Sequence, residues 1–137
     1  MSYYKTISRA ALVLTTLLSI TCFAQAPTLS NIRKIYVEPM ENHLDQYLTS
    51  EISRQFHGSL QIVTSASEAE AVLKGVNLGA QTTNKATVSL TDPAGKVVLW
   101  SGTAGDREGK FLDVKRGGLQ SIAAHLIHSL RKAMQSK

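Results

Sequence analysis

The stretch that decides the fold is KATVSLTDPAGKVVLWS, residues 85–101, in which two alternating runs flank Asp92-Pro93-Ala94-Gly95. Proline at the second turn position and glycine at the fourth are typical of a type I turn followed by a left-handed residue. The stretch therefore predicts a β-hairpin. Such a turn fixes how the two strands pair, and pairing decides which side chains share a face.

With residues 93–95 as the loop, Leu90 is expected opposite Val98, and Val88 opposite Trp100. One face of the hairpin is then apolar and consists of Ala86, Val88, Leu90, Val98 and Trp100. The other face is mostly polar and consists of Thr87, Ser89, Thr91, Val97 and Leu99. A loop of residues 92–95 would instead place Val98 and Trp100 opposite Ser89 and Thr87. A sheet with one apolar face needs helices on one side only.

The elements around the hairpin follow from hydrophobic spacing and from capping signals. Strands are predicted at residues 32–37, 60–64 and 72–78. A long helix is predicted from an Asn42 N-cap to the stop at Gly58, a short helix at residues 67–71 behind Ser65, and a second long helix at residues 119–135. The fold class is α+β: a two-layer sandwich of one domain, residues 32–137, with a mixed sheet of about five strands and both long helices on one face.

The amino terminus has the pattern of a secretory signal peptide over residues 1–26. Lys5 and Arg9 precede an apolar run, and Ala24-Gln25-Ala26 is a small-x-small cleavage site. Residues 27–31 are then a flexible lead. The alternative is lipidation at Cys22, but Thr21 before this cysteine fits the lipoprotein pattern poorly. Either way the protein is expected to be exported to the periplasm or the extracellular space, without a transmembrane span in its mature form.

The charge balance argues against nucleic acid as a partner. The full chain has 15 basic and 10 acidic residues, hence a net charge of +5, and removal of Lys5 and Arg9 leaves 13 against 10, or +3. Nucleic-acid binders concentrate such charge in one patch, whereas the basic residues here never exceed pairs along the sequence. A nucleic-acid-binding function is therefore not predicted.

The sequence contains no convincing catalytic, cofactor or metal site. His125 and His128 have a spacing that suits zinc, but they fall on the polar side of the last helix and are expected to be solvated. Residues 104–111, AGDREGKF, lack the first glycine and the hydroxyl of a phosphate-binding loop. The chain also has no G-x-S-x-G elbow. We expect no cofactor, no metal and no enzymatic activity.

Three segments carry a resemblance to a class of bacterial envelope domains: IRKIYVEP from residue 32, SEAEAVLKGVNLG from residue 67, and ATVSLTDPAGKVVLWSG from residue 86. In this combination the chain resembles the curli-secretion lipoprotein and the amino-terminal domain of the periplasmic protein TolB, and more loosely the lipopolysaccharide-assembly lipoprotein. The resemblance implies a non-enzymatic accessory component of envelope assembly or transport.

The leading functional hypothesis is an exported interaction domain that binds an envelope protein or an anionic glycoconjugate. Docking is expected on the polar sheet face, and the candidate partner-binding residues are Val97, Leu99, Lys110, Lys115 and Arg116. The alternative is a small ligand-binding or hydrolytic domain that uses the glycine-rich loop at residues 102–118, which carries Asp106, Glu108 and Asp113. The oligomeric state is left open.

Overall fold

A computed structural model describes residues 27–77, 85–105 and 118–136 of the chain. Two regions singled out above therefore lie outside the described residues: the predicted signal peptide with Cys22 and most of the glycine-rich loop. Residues 78–84 lie outside them as well. Within the predicted lead, Leu29–Asn31 forms a short 3-10 helix, and Leu29 packs against the hydrophobic core.

The described chain forms five strands and two long helices. In chain order they are β1 (Lys34–Val37), α1 (Leu44–Phe56), β2 (Gln61–Val63), β3 (Ala71–Asn77), β4 (Lys85–Thr91), β5 (Val98–Gly105) and α2 (Leu119–Gln135). The sheet order is β2-β1-β3-β4-β5. β1 pairs in parallel with β2 and β3, whereas the β3/β4 and β4/β5 pairs are antiparallel. The predicted α+β sandwich with a mixed five-stranded sheet is confirmed.

Both long helices pack against one face of the sheet, and the core lies between the two layers. α1 buries a stripe at helical spacing that includes Leu44, Leu48 and Ile52, and α2 buries the matching face that includes Leu126 and Leu130. The sheet contributes alternate residues, namely Ile35, Ala71, Leu73, Ala86, Val88, Leu90 and Ala104. This period of two in the strands and near four in the helices is what packs one apolar face of each layer against the other.

The start of α1 differs from the predicted Asn42 N-cap. Asn42 and His43 both adopt left-handed conformations, with φ of 54° and 60°, and the helix begins only at Leu44 without a side-chain cap. Asp45 instead accepts a hydrogen bond on Oδ1 from the backbone N–H of Met40, at 3.3 Å. The prediction of an Asn42 cap was therefore wrong, because the chain enters the helix through a left-handed kink.

The predicted short helix at residues 67–71 was also wrong in its extent. Ser65 does cap a turn, since its Oγ accepts from the N–H of Ser67 at 3.4 Å, but that turn is a 3-10 helix of only three residues, Ala66–Glu68. Ala71 already belongs to β3 and pairs with Ile35. Pairing with β1 thus recruits residues that local capping signals assign to a helix.

The hairpin forms, but with a register that neither predicted loop gives. Leu90 pairs with Trp100 rather than with Val98, and the pairing shifts at a bulge before Thr91 pairs with Val98. The cause lies in Asp92, whose Oδ1 accepts hydrogen bonds from the N–H groups of Lys96 and Val97 at 2.7 and 2.8 Å. These two bonds hold a loop longer than the assumed turn, a role typical of aspartate in turns.

The new register changes which residues of β5 face the core. Val98 is 63% exposed, so its predicted place on the apolar face was wrong. Trp100 keeps its predicted place, half-buried beside Gly102 and Leu126. Leu99 packs against the core as well, although the prediction placed it on the polar face. Because Leu99 and Trp100 both pack against the core, truncation of either to alanine is expected to lower the free energy of unfolding.

Candidate functional site: the open face of the sheet

The sheet face opposite the helices, here called the open face, presents paired hydroxyl groups along the hairpin. Thr87 lies opposite Thr103 with their Oγ1 atoms 2.9 Å apart, and Ser89 lies opposite Ser101 with their Oγ atoms 3.2 Å apart. We call these four residues the hydroxyl ladder. The sequence identified Thr87 and Ser89 but not Ser101 and Thr103, because the predicted register placed Leu99 rather than Ser101 opposite Ser89.

A shallow groove of about 380 Å³ lies beside the hydroxyl ladder and is lined by Glu38, Lys74, Gly75, Thr87 and Ser89. Lys74 enters the open face because its strand position is paired with Ser89. Its Nζ extends toward the hairpin turn, 3.8 Å from where a side chain on Gly95 would begin. The groove thus combines hydroxyl groups with one ammonium and one carboxylate, which suits an extended polar ligand or a polypeptide segment.

A row of three paired residues, two of them buried, crosses the open face next to this groove. Tyr36, Val72 and Thr91 are consecutive register partners on β1, β3 and β4. Val72 is 5% exposed and Thr91 is 2% exposed. The Oγ1 atom of Thr91 is buried and has no hydrogen-bond partner among the described residues. A buried hydroxyl without a partner costs stability, so this position is a local defect of the open face.

Thr91→Val is expected to raise the free energy of unfolding by about 1 kcal/mol, because it removes the unpaired buried hydroxyl at nearly constant volume. Thr87→Val is the matched control on the same strand and face, since its hydroxyl is bonded to that of Thr103. Urea denaturation of the two variants provides the comparison. A Thr91→Val protein that is less stable than the Thr87→Val protein would contradict the assignment.

The candidate partner-binding residues do not form one group in the structure. Val97 is 45% exposed next to the hairpin turn, whereas Leu99 packs against the core. Lys110, Lys115 and Arg116 lie outside the described residues, as do the loop carboxylates Asp106, Glu108 and Asp113. Of the predicted residues, Val97 alone is placed as an exposed apolar side chain. The binding role of all five stays a prediction.

The two histidines of α2 occupy different environments. His128 is exposed, and its Nδ1 lies 3.5 Å from Nη2 of Arg131. His125 is half-buried, and its Nδ1 is buried without a hydrogen-bond partner in the described part of the chain, so the prediction of a solvated side chain was wrong for this residue. No group of three or more His, Cys, Asp or Glu suited to a metal ion occurs among the residues that the structure describes.

A polar link that the sequence missed joins the two helices. Glu51 is 2% exposed and accepts hydrogen bonds on Oε2 from Nη2 of Arg54 at 2.5 Å and from Nε2 of Gln55 at 3.0 Å. The Gln55 amide also donates to the carbonyl of Ala124 on α2, at 3.1 Å. Buried carboxylates persist when they are paired in this way. The link is a structural contact between the helices rather than a site open to ligands.

Glu70 is an exposed carboxylate with a defined role at the start of β1. Its Oε2 accepts hydrogen bonds from the backbone N–H groups of Arg33 at 2.5 Å and Lys34 at 3.1 Å. These two bonds, that of Arg33 first, lower the pKa of Glu70 below its ordinary value of 4.5. The charged form is therefore favoured in the folded protein.

The lowered pKa of Glu70 gives a pH-dependent contribution with a definite sign. The contribution is complete above the unfolded-state pKa of about 4.5 and is lost as the pH falls through the lower folded-state pKa. Glu70→Gln is expected to lower the free energy of unfolding at pH 7 by no more than about 1 kcal/mol, because the carboxylate is exposed. Denaturation across the acid range should show the two proteins converging at low pH. A difference that does not shrink would contradict the role of Glu70.

The comparisons with known proteins show a shared fold. Among solved structures, TolB from Acinetobacter baumannii matches with a TM-score of 0.54 at 14% identity, over 76% of this chain and 28% of the TolB chain. A PelC dodecamer from Paraburkholderia phytofirmans matches with a TM-score of 0.49 at 21% identity, over 80% and 94% of the two chains. Lipoprotein GNA1162 from Neisseria meningitidis matches with a TM-score of 0.46 at 17% identity, over 76% and 99%.

The resemblance to envelope domains predicted from the sequence is thus confirmed as a likeness of fold, through TolB in particular. No family model matches the chain, and no curated protein matches it. Among the described helices, none has the length and apolar character needed to cross a membrane.

Proposed function

We propose that this chain is an exported, non-enzymatic interaction domain of the bacterial envelope, and that its open face binds an envelope protein or an anionic glycoconjugate. The observation that carries the proposal is the one-sided covering of the sheet. Both described helices lie on one face, while the other face presents the hydroxyl ladder and the groove beside Lys74. A broad sheet face with aligned hydroxyls and an ammonium provides hydrogen bonds and charge for an extended partner.

Two observations support an accessory role over a catalytic one. The fold is shared with TolB, and the open face has one carboxylate in its groove. A small hydrolase would need two or more reactive groups held within hydrogen-bond distance of each other by rigid elements. The proposal also assigns Lys110, Lys115 and Arg116, which lie outside the described residues, a role in attracting an anionic partner.

The proposal is tested by site-specific photo-crosslinking in cells. A crosslinking amino acid at Ser89 lies in the groove on the open face, whereas the same amino acid at Ser129 is exposed on α2 and serves as the matched control. We expect a crosslinked envelope component from position 89 that is absent from position 129. Lys74→Glu should then reduce the yield at position 89, because an anionic partner loses its ammonium contact.

Two results would overturn the proposal. Equal crosslinking from both positions would show that the open face has no special role. The absence of any crosslink from position 89, in every growth condition in which the cells express and export the protein, would show that this face has no partner.

A further inference from the structure

Within the part of the chain that the structure describes, nothing protects the edge strand β5 in the ways usual for a sheet edge. β5 occupies the end of the sheet order and, among the described residues, pairs only with β4. Its sequence VLWSGTAG, residues 98–105, has no charged residue and no proline. Natural edges are usually short or are blocked by lysine, proline or a bulge. The edge at β2 is short, with three residues, whereas β5 has eight and its bulge lies at the start.

The hydrogen-bond pattern identifies which backbone groups of β5 point outward. The N–H of Asp92 donates to the carbonyl of Val97 at 2.9 Å, so the backbone of Asp92 is directed toward β5. Because this direction alternates along a strand, Leu90 and Val88 are also directed toward β5 and bond to their partners Trp100 and Gly102.

The opposite side of β4 supports this pattern. The carbonyl of Leu73 accepts from the N–H of Glu38 at 2.9 Å and is therefore directed toward β1. Leu73 thus does not bond to its β4 partner Leu90, whose backbone groups are directed toward β5 instead. On β5, the residues that alternate with Trp100 and Gly102 must then direct their backbone N–H and C=O groups away from β4. Ser101 and Thr103 accordingly present their backbone N–H and C=O groups at the open edge.

We propose that β5 pairs antiparallel with β5 of a second copy of this chain, about a two-fold axis at Gly102. In this register Ser101 faces Thr103 of the second copy and exchanges both backbone hydrogen bonds with it, and the symmetric pair does the same. The hydroxyl ladder then continues across the axis. The inference concerns the edge of the sheet and does not depend on whether the open face binds a partner.

The side chains of β5 complement those of a second copy. Trp100 of each copy faces Ala104 of the other copy, and the two Gly102 residues face each other at the axis. Each large indole therefore meets a small side chain. The lack of charged residues on β5 also favours a second copy of this chain as the partner. After the predicted cleavage the protein carries 13 basic and 10 acidic residues, a net charge of +3, so most of its surface opposes self-association, but β5 brings no like charges together. An anionic peptide, in contrast, would find no cation on this strand.

The molar mass of the exported protein, measured by light scattering after size exclusion, tests the inference. We expect a dimer for the unaltered chain at micromolar concentrations. Thr103→Pro removes one outward N–H without removing a bond to β4, and proline is tolerated on edge strands. It should therefore reduce the molar mass to about half. Thr103→Val keeps the N–H and should remain a dimer.

Circular dichroism of each variant shows whether it is folded. If Thr103→Pro does not fold, Ser101→Lys replaces it, because two lysines near the axis repel each other and should likewise give a monomer. A monomeric unaltered protein would overturn the inference. So would a dimer that persists in a folded Thr103→Pro or Ser101→Lys variant, since its interface would then lie elsewhere.

Discussion

Leu126→Ala is expected to lower the free energy of unfolding by about 2 to 5 kcal/mol. Leu126 is 1% exposed and belongs to the core between α2 and the sheet. Its Cδ2 lies 3.3 Å from where a side chain on Gly102 would begin, so it fills the space above β5 directly. Truncation removes buried methyl groups and leaves a cavity that two packed layers cannot close.

Urea denaturation followed by circular dichroism measures this loss. Ser129→Ala is the matched control, because Ser129 is exposed on the same helix and alanine favours helices. The control should change stability by less than about 0.5 kcal/mol. A Leu126→Ala protein as stable as the control would show that α2 does not pack on β5 as described.

Gly102→Val is expected to destabilise the fold by about 1 to 3 kcal/mol through overpacking. A Cβ atom at Gly102 would lie 2.6 Å from both Cζ2 and Cη2 of Trp100. The indole therefore occupies the space that any side chain at position 102 needs. Because the chain has a single tryptophan, its fluorescence reports this displacement directly. The emission should shift to longer wavelength in the folded variant.

A double-mutant cycle with Trp100→Ala separates this contact from other effects. If the indole is the obstacle, Gly102→Val should cost less in the Trp100→Ala background than in the unaltered protein, by at least about 0.5 kcal/mol. Strict additivity of the two substitutions, together with unshifted tryptophan emission, would show that Trp100 does not cover Gly102.

The elements of the fold were predictable from the sequence because they depend on local periodicity. The stripe of α2 repeats at helical spacing and the run in β4 alternates, so residues 119–135 and 85–91 were predicted as the structure has them. The one-sided arrangement of the helices followed from the same patterns. Local signals failed where another strand competes for the chain, as at Ala71, which joins β3 through its pairing with Ile35.

The candidate site was only half predictable. Its β4 residues Thr87 and Ser89 followed from alternation along one strand, but Ser101 and Thr103 depend on the register of β5. That register depends on the two hydrogen bonds accepted by Asp92 and on the bulge that accompanies them. The turn motif alone suits several loop lengths, and each length places different side chains opposite one another.

The sequence by itself determined the strands, the two long helices and the apolar faces of those helices and of β4, because hydrophobic side chains must recur with the period of the element that buries them. Only the tertiary structure decided the position of β1 between β2 and β3 in the sheet, the burial of Glu51 and the composition of the open face. These features depend on contacts between residues far apart in the chain. Such contacts are selected by the packing of the whole core, which no short stretch of sequence encodes.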